Sequence, residues 1–155
     1  MENNRFKVNI YTYCSIKGPG KRKGCCMWLV EYLTSKNIPV TRQGMIKEDD
    51  TTENRLTLEA IIEALKMLSR NCEIRINTPC EHVLNTAGNN WHVQWQMNDW
   101  KNAKGKDVKN ADLWENYMLF TRNHVVSFET GDHSYSKVMK SEVEKTAKIL
   151  VAEGC

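Results

Sequence analysis

The stretch FKVNIYTY, residues 6–13, alternates large apolar side chains with polar ones along its whole length. A period of two residues is typical of a β-strand that buries one face, so this segment predicts the first strand of a sheet. The chain turns at Gly18-Pro19-Gly20, and the apolar and aromatic residues 24–34 predict a second strand. Residues 40–46 favour a third strand after a turn at residues 37–39. The chain therefore opens with three consecutive strands.

The strongest helix signal comes directly after these strands. Residues 50–52 (DTT) are suitable helix caps, and the apolar residues that follow recur at helical spacing. These apolar residues are Leu58, Ile61, Ile62, Leu65 and Leu68. The rest of the chain predicts a strand over 72–77, a helix opened by Pro79 and ended by Gly88, a helix over 110–121, a strand over 124–128 and a helix over 136–152. This order of elements predicts an α/β fold with a mixed sheet.

The composition fits a single domain that spans residues 1–155, with 41% hydrophobic and 26% charged residues. A chain of about 150 residues buries roughly 70% of its unfolded surface, so it can build a core without cross-links. The composition excludes collagen-like, low-complexity and disulfide-dense classes. No run approaches the roughly 20 apolar residues of a membrane span, and the first residues lack the apolar core of a secretory signal. We therefore expect a cytoplasmic protein with no membrane partner.

Basic residues are concentrated in two segments, although the net charge is only +3. One segment contains Lys101, Lys104, Lys106 and Lys109, and the other contains Lys17, Lys21, Arg22 and Lys23. Such clusters suit contacts with phosphate groups. Charge alone equally allows that both are solvated loops, so the partner stays open at this point.

The six cysteines include no C-x-x-C pair. Free thiols are the default in a chain without an export signal. A zinc site built from Cys14, Cys80, His82 and His133 has acceptable ligands, but it requires that their loops converge. The spacing of these residues is not a recognised zinc pattern.

Four segments carry short motifs in a fixed order. Residues 10–15 (IYTYCS), 53–58 (ENRLTL) and 77–83 (NTPCEHV) resemble the motifs I-Y-T-D-G-S, N-N-R-M-E-L and S-T-D-S-Q-Y-V of the type 1 ribonuclease H enzymes. The tryptophan- and lysine-rich segment 91–114 is similar to the basic protrusion by which some members grip the hybrid duplex. We place this protrusion at about residues 89–110. The order and spacing of the motifs together indicate this family.

The resemblance implies an α/β, ribonuclease H-like fold. Its five-stranded mixed sheet has three antiparallel opening strands, then parallel ones, with helices on both faces. It also implies cleavage of the RNA strand of RNA–DNA hybrids by two Mg²⁺ ions that four carboxylates hold. Two cations about 4 Å apart stabilise both the attacking and the leaving oxygen of an in-line displacement. Several carboxylates are required because they offset the repulsion between two dications, which neutral side chains cannot do.

Three of the four family positions for these carboxylates hold neutral residues here. The matched positions are Tyr13, Thr57, Pro79 and Glu142, and only the last is acidic. Tyr13 is bulky enough to occupy the metal cavity, and Pro79 removes a charge and a backbone donor. The family's G-H-A-G-H loop reads Gly131-Asp132-His133-Ser134, so its histidine is displaced or lost. We therefore expect no intact catalytic residue, no resident metal and no cofactor.

Nearby acids are the candidates to rebuild a metal site. Glu81 and Asp132 can turn toward the cleft. Glu59 lies two helical positions beyond Thr57, which rotates its side chain by about 200° away from the sheet end. Together with Glu142, these displaced acids would have to reproduce the near-ideal octahedral geometry that Mg²⁺ demands.

The family's nucleic-acid contacts map onto two regions of this sequence. Thr52, Asn54 and Arg55 match the N-N-R neighbourhood, which contacts the minor groove and the backbone in family members. Trp91 and Trp95 are four residues apart and share one helix face beside the lysines of the protrusion. They form a small core, present their rings to a DNA strand, or do both.

Three functional hypotheses follow from these residues. The first is a catalytically inactive ribonuclease H-like protein that retains binding to RNA–DNA hybrid or other duplex nucleic acid. The second is an active hybrid nuclease that uses Mg²⁺ in a rearranged site. The third is a protein-interaction module with a protein partner, because fold does not determine function.

Overall fold

The computed structural model describes residues 6–153 and has a five-stranded sheet at its centre. The strands are β1 (Phe6–Cys14), β2 (Arg22–Leu33), β3 (Pro39–Thr51), β4 (Cys72–Asn77) and β5 (Val125–Glu129). They lie in the order β3-β2-β1-β4-β5. The β1–β2 and β2–β3 pairs are antiparallel, and β4 is parallel to both β1 and β5. The predicted mixed sheet is confirmed.

Helices cover both faces of this sheet, as predicted. They are α1 (Glu53–Leu65), α2 (Glu81–Gly88), α3 (Trp91–Met97), α4 (Ala111–Thr121) and α5 (Ser136–Glu153). On one face, Val8 and Ile10 of β1 pack with Leu58 of α1 in the main core. On the other face, Met27 of β2 packs with Met139 of α5. Because β1 alternates, its even-numbered side chains point toward α1, and Tyr11 and Tyr13 point toward α5.

The first helix begins where its caps predict. Thr52 has an extended backbone, and its hydroxyl oxygen accepts a hydrogen bond from the Arg55 amide at 3.2 Å. This bond satisfies one of the free amides of the first turn. The apolar positions that repeat at helical spacing, from Leu58 to Leu65, are buried against the sheet.

The third strand is longer than the sequence predicts. It runs from Pro39 to Thr51, whereas the apolar pattern ends near residue 46. Residues 47–50 are charged and exposed, yet Lys47 and Glu48 still pair with β2 through the backbone. An edge strand needs only backbone hydrogen bonds on one side, so its end carries no apolar signal.

Smaller differences affect the second helix and the fifth strand. The second helix begins at Glu81, after Cys80 in an extended N-cap conformation, so Pro79 precedes the helix instead of opening it. The fifth strand is displaced by one residue from its predicted position and spans Val125–Glu129. Within residues 6–153, none of the helices combines the length and the apolar character that crossing a membrane requires.

Candidate functional site

A cavity of about 330 Å³ opens at the carboxyl ends of β1 and β4, beside the first turns of α5. It is lined by Thr12, Tyr13, Asn77, Pro79, residues 130–133, Ser136, Met139 and Lys140. Two of the four family carboxylate positions, Tyr13 and Pro79, therefore lie at this cavity, which we call the cleft. Among the described residues 6–153, Asp132 is the only carboxylate in its lining, which also includes the cation Lys140.

Tyr13, the residue matched to the first family carboxylate, presents an aromatic ring at the cleft. The ring packs against the apolar cluster of β2 and α5, and the ammonium of Lys17 lies 4.1 Å from the ring centroid. A cation above an aromatic face is attracted by the electrons of the ring. The first family position therefore has a cation beside it where the family places a carboxylate.

Thr57 faces a group of thiols on the α1 side of the sheet. Its side chain is only 1% exposed, and its hydroxyl lies 3.3 Å from the Cys14 sulfur. The nearby Cys80 thiol donates a hydrogen bond to Asn54 at 3.2 Å, and burial raises the pKa of Cys80 to about 11. The Cys80 thiol is therefore neutral at physiological pH, and Thr57 lies in a buried environment.

The acid predicted for the fourth family position lies outside the cleft. Glu142 forms an ion pair with Lys145 at 3.6 Å, one turn further along α5, and it is not part of the cleft lining. The helix instead directs Met139 and Lys140 into the cleft. The assignment of Glu142 as the last acidic position of the site is therefore not supported by the geometry of α5.

The other candidate acids also fail to form a group. Glu59 is absent from the cleft lining, as its helical position predicts, and burial followed by the nearby charge of Glu48 raises its pKa. Glu81 is exposed at the start of α2 and is not part of the lining either. Asp132 alone cannot bind a pair of Mg²⁺ ions, which need several oxygen ligands each. The residues present in the cleft do not fit the family's metal pair.

The loop before α5 is held against the sheet by aromatic contacts. The His133 ring stacks on Tyr11 with centroids 4.1 Å apart. Tyr135 donates a hydrogen bond to Glu31 of β2, and this bond raises the pKa of Tyr135 to about 12. Asn9 donates a second hydrogen bond to the same carboxylate at 3.0 Å.

The zinc hypothesis requires four residues that the fold does not bring together. His133 lies on the α5 face, whereas Cys14 packs with residues of α1 on the opposite face. His82 and Cys80 are near the start of α2. Across residues 6–153, no three histidine, cysteine or acidic side chains are grouped so that they could hold a metal ion.

The residues that match the N-N-R neighbourhood already have internal partners. Thr52 caps α1, and Asn54 accepts the hydrogen bond from Cys80. The Arg55 guanidinium forms two hydrogen bonds with the carboxylate of Asp112, at 3.2 and 2.9 Å. Arg55 therefore joins α1 to α4, and a nucleic-acid contact by this side chain would compete with the ion pair.

The lysines of the protrusion differ in their pairing. Lys101 forms an ion pair with Asp107, and the two residues also make an isolated β-bridge that closes the tip. Lys104, Lys106 and Lys109 are exposed and form no ion pair within residues 6–153. Three of the four predicted lysines are thus available to an anionic partner.

The tryptophans divide between the core and the surface. Trp114 is fully buried and stacks on His92, and Trp95 packs at the margin of the same core. Trp91 begins α3 and is 40% exposed. Sequence analysis left both roles open for the pair Trp91 and Trp95, and the structure gives Trp95 a packing role and leaves the ring of Trp91 accessible.

Sequence analysis missed Met139 and Lys140 as part of the cleft. The signal for them is the spacing of Met139 and Val143, both buried, which are four residues apart on one face of α5. That spacing orients the helix and directs Lys140 to the cleft margin.

Comparisons with known structures define the class of fold. The chain superimposes on LC9-RNase H1, a type 1 RNase H with the type 2 active-site motif, with a TM-score of 0.77 and 21% identity, over 96% of this chain and 75% of that one. It also matches a foamy viral protease-reverse transcriptase in complex with RNA/DNA hybrid, with a TM-score of 0.62 and 19% identity, over 88% of this chain and 19% of that one. The fold is that of ribonuclease H.

Sequence comparisons extend this result from fold to family. The RNase H family model matches residues 5–131. The ribonuclease H of Caldicellulosiruptor saccharolyticus is 34% identical over 149 residues, which cover 95% of this chain and 97% of the relative. That of Zymomonas mobilis is 40% identical over 82 residues, or 53% of this chain and 52% of the relative. The chain belongs to the ribonuclease H family.

Proposed function

We propose that this protein binds RNA–DNA hybrid or another duplex nucleic acid and does not cleave it by the family's two-metal reaction. The observation that carries the proposal is that neutral residues stand at three positions matched to the family's carboxylates, Tyr13, Thr57 and Pro79. Tyr13 and Pro79 line the cleft, and the buried Thr57 hydroxyl contacts the Cys14 sulfur on the other side of β1. In the part of the chain that the structure describes, the lining contains one carboxylate, Asp132.

The charge of the surrounding side chains supports the same conclusion. Lys140 lines the cleft, and Lys17 lies over the ring of Tyr13. Cations at this place repel dications and attract a phosphate backbone. A site made of four carboxylates does the opposite, because it attracts dications and repels phosphate. The cleft is thus suited to a direct contact between lysine and phosphate.

The protrusion supplies the second part of the binding surface. Lys104, Lys106 and Lys109 are exposed on the loop between α3 and α4, and the accessible ring of Trp91 lies at the start of α3. Lysines that neutralise phosphates provide affinity without sequence preference, and an aromatic ring adds stacking or sugar contact. We propose that this combination holds the duplex as the basic protrusion of related enzymes does.

Asp132 in the lining favours one alternative, an active nuclease with a rearranged site. A single acid in the lining is the minimum from which a metal site could be rebuilt. A labelled RNA–DNA hybrid incubated with the protein and Mg²⁺ or Mn²⁺, then resolved on a denaturing gel, separates the two functions. We expect no cleavage above the buffer control.

Variants make this cleavage test specific. Metal-dependent cleavage that is lost on Asp132→Asn but kept in Glu142→Gln would establish the rearranged nuclease and overturn the proposal. Failure to bind hybrid, duplex DNA and duplex RNA at low salt would instead favour a protein-interaction module. Fluorescence anisotropy on the same preparation measures that binding.

A further inference from the structure

Two cysteines face each other directly across the β1–β2 strand pair. Cys14 is the register partner of Cys26. The next pair along the ladder is hydrogen-bonded, because the Ser15 amide donates to the Cys25 carbonyl at 2.8 Å. In an antiparallel sheet hydrogen-bonded and non-hydrogen-bonded pairs alternate, so Cys14 and Cys26 form a non-hydrogen-bonded pair. The Cα atoms of such a pair are about 4.5 Å apart, within the range that a disulfide spans.

The side chains of this pair point at each other. Their sulfur atoms are 2.7 Å apart, closer than two sulfurs lie in ordinary van der Waals contact. Cys14 is 3% exposed and Cys26 is fully buried, and both pack with Leu56 and Ala60 of α1. The geometry therefore places two thiols in a rigid, dry setting where a bond between them needs only a small movement.

The other buried thiols near this pair have different partners. Cys25 points to the opposite face of β2, where its thiol lies 3.7 Å from the carbonyl of Val143 on α5. Cys80 is hydrogen-bonded to Asn54 at the start of α1. The pairing of Cys14 with Cys26 is therefore specific.

We propose that Cys14 and Cys26 form a cross-strand disulfide when the chain folds in the presence of a small-molecule disulfide such as oxidised glutathione. One protein thiolate attacks the glutathione disulfide and releases one reduced glutathione. The second protein thiolate then displaces the other glutathione, so that two protein thiols and one glutathione disulfide become one protein disulfide and two reduced glutathiones. The two thiol protons pass to solvent or to the departing glutathione thiolates.

Burial controls when this reaction takes place. Burial raises the pKa of the Cys26 thiol, and the thiolate is the reactive form, so exchange in the folded protein is slow. The bond therefore forms during folding or when the β1–β2 hairpin opens, and once formed it is shielded from reductants. It closes the segment between residues 14 and 26, which carries the basic residues Lys17, Lys21, Arg22 and Lys23. Of these, Lys17 lies over the ring of Tyr13 at the cleft.

Peptide mapping tests the proposal. The reduced, unfolded protein is refolded with oxidised glutathione, alkylated with iodoacetamide in denaturant and digested with trypsin. We expect peptide 8–17, which holds Cys14, to be joined to peptide 24–36, which holds Cys25 and Cys26, and to be released by reductant. Four of the six cysteines should be alkylated.

Two variants in the same strand identify the partner of Cys14, because Cys25 and Cys26 share one tryptic peptide. Cys25→Ala should keep the cross-link and Cys26→Ala should lose it, and circular dichroism checks that both variants fold. Alkylation of all six cysteines in the oxidised wild-type protein overturns the proposal without need of a variant. So does a glutathione adduct in place of the cross-link, a link from Cys14 to the Cys80 peptide, or a cross-link that persists in Cys26→Ala.

Discussion

Removing Lys104 and Lys106 together should weaken the salt dependence of duplex binding. Both side chains are exposed on the protrusion and form no ion pair within the described part of the chain. The same is true of Lys109. If these three lysines neutralise three phosphates, they contribute about −2.7 to the slope of log affinity against log salt, at about 0.9 per contact. That contribution alone lowers affinity about 40-fold between about 50 and 200 mM salt.

The double variant leaves one of the three contacts. The protrusion's contribution to the slope should fall to about −0.9, so its share of the salt effect should be only about 3.5-fold. Lys101→Ala should change the slope much less than either unpaired lysine, because Asp107 already pairs with Lys101. Sequence preference should not change in either variant, because phosphate contacts carry no sequence information.

The assay is fluorescence anisotropy with a labelled hybrid at several salt concentrations. A matched control removes two exposed lysines elsewhere, Lys36 in the β2–β3 turn and Lys148 on α5, so that both double variants lose the same net charge. An equal loss of slope in both double variants would show that overall charge, and not the protrusion, governs binding. An unchanged slope after removal of Lys104 and Lys106 would refute the assignment of the protrusion as the contact surface.

Two further predictions concern the cleft and the helix pairing. The triple variant Tyr13→Asp, Thr57→Glu and Pro79→Asp should be less stable than the wild type without metal, because a buried unpaired carboxylate costs several kcal/mol. Mg²⁺ should raise its urea midpoint and leave the wild type unchanged, and a folded variant with no response to Mg²⁺ would show that the family correspondence is wrong. Arg55→Ala should cost about 0.5–1 kcal/mol in urea unfolding, because it removes a partly exposed ion pair with Asp112. The hydrogen bond from Arg55 lowers the pKa of Asp112. The stabilisation by this pair should therefore be present above the ordinary aspartate pKa and be lost as the pH falls through the lowered value. A loss of stability in Arg55→Ala that is independent of pH would contradict the role of the pair.

The sequence predicts an element best when an alternating apolar pattern and flanking turn residues both mark it. Residues 72–77 form β4 with the predicted bounds because their inward side chains are apolar and turn residues flank them. The end of β3 was not predictable in this way, since backbone pairing alone holds its charged residues 47–50. An alternating apolar pattern indicates which side chains are buried, and the side chains of residues 47–50 are all exposed.

In the candidate site too, the sequence indicates residues within motifs but not the contacts that depend on the fold. The sequence predicts Tyr13, Thr57 and Pro79 as the matched family positions because each stands inside a motif, and this assignment stays a prediction. Glu142 has no such motif around it, and a helix turns about 100° per residue, so an ungapped match does not decide which side chain faces the cleft. The partner of Arg55 is Asp112, 57 residues away, which no local pattern indicates.

The charged end of β3 has a consequence for how copies of this protein meet. β3 is an outer strand of the sheet, and its free backbone groups offer a template on which a strand of another molecule could add. Residues 47–50 read Lys-Glu-Asp-Asp and are all exposed, so a neighbouring strand would have to bring its own side chains against a row of four charges. Adding a strand there requires that these charges lose water, which discourages edge-to-edge aggregation at high concentration. The charged residues 47–50 at the end of β3 thus oppose strand addition between copies of this protein.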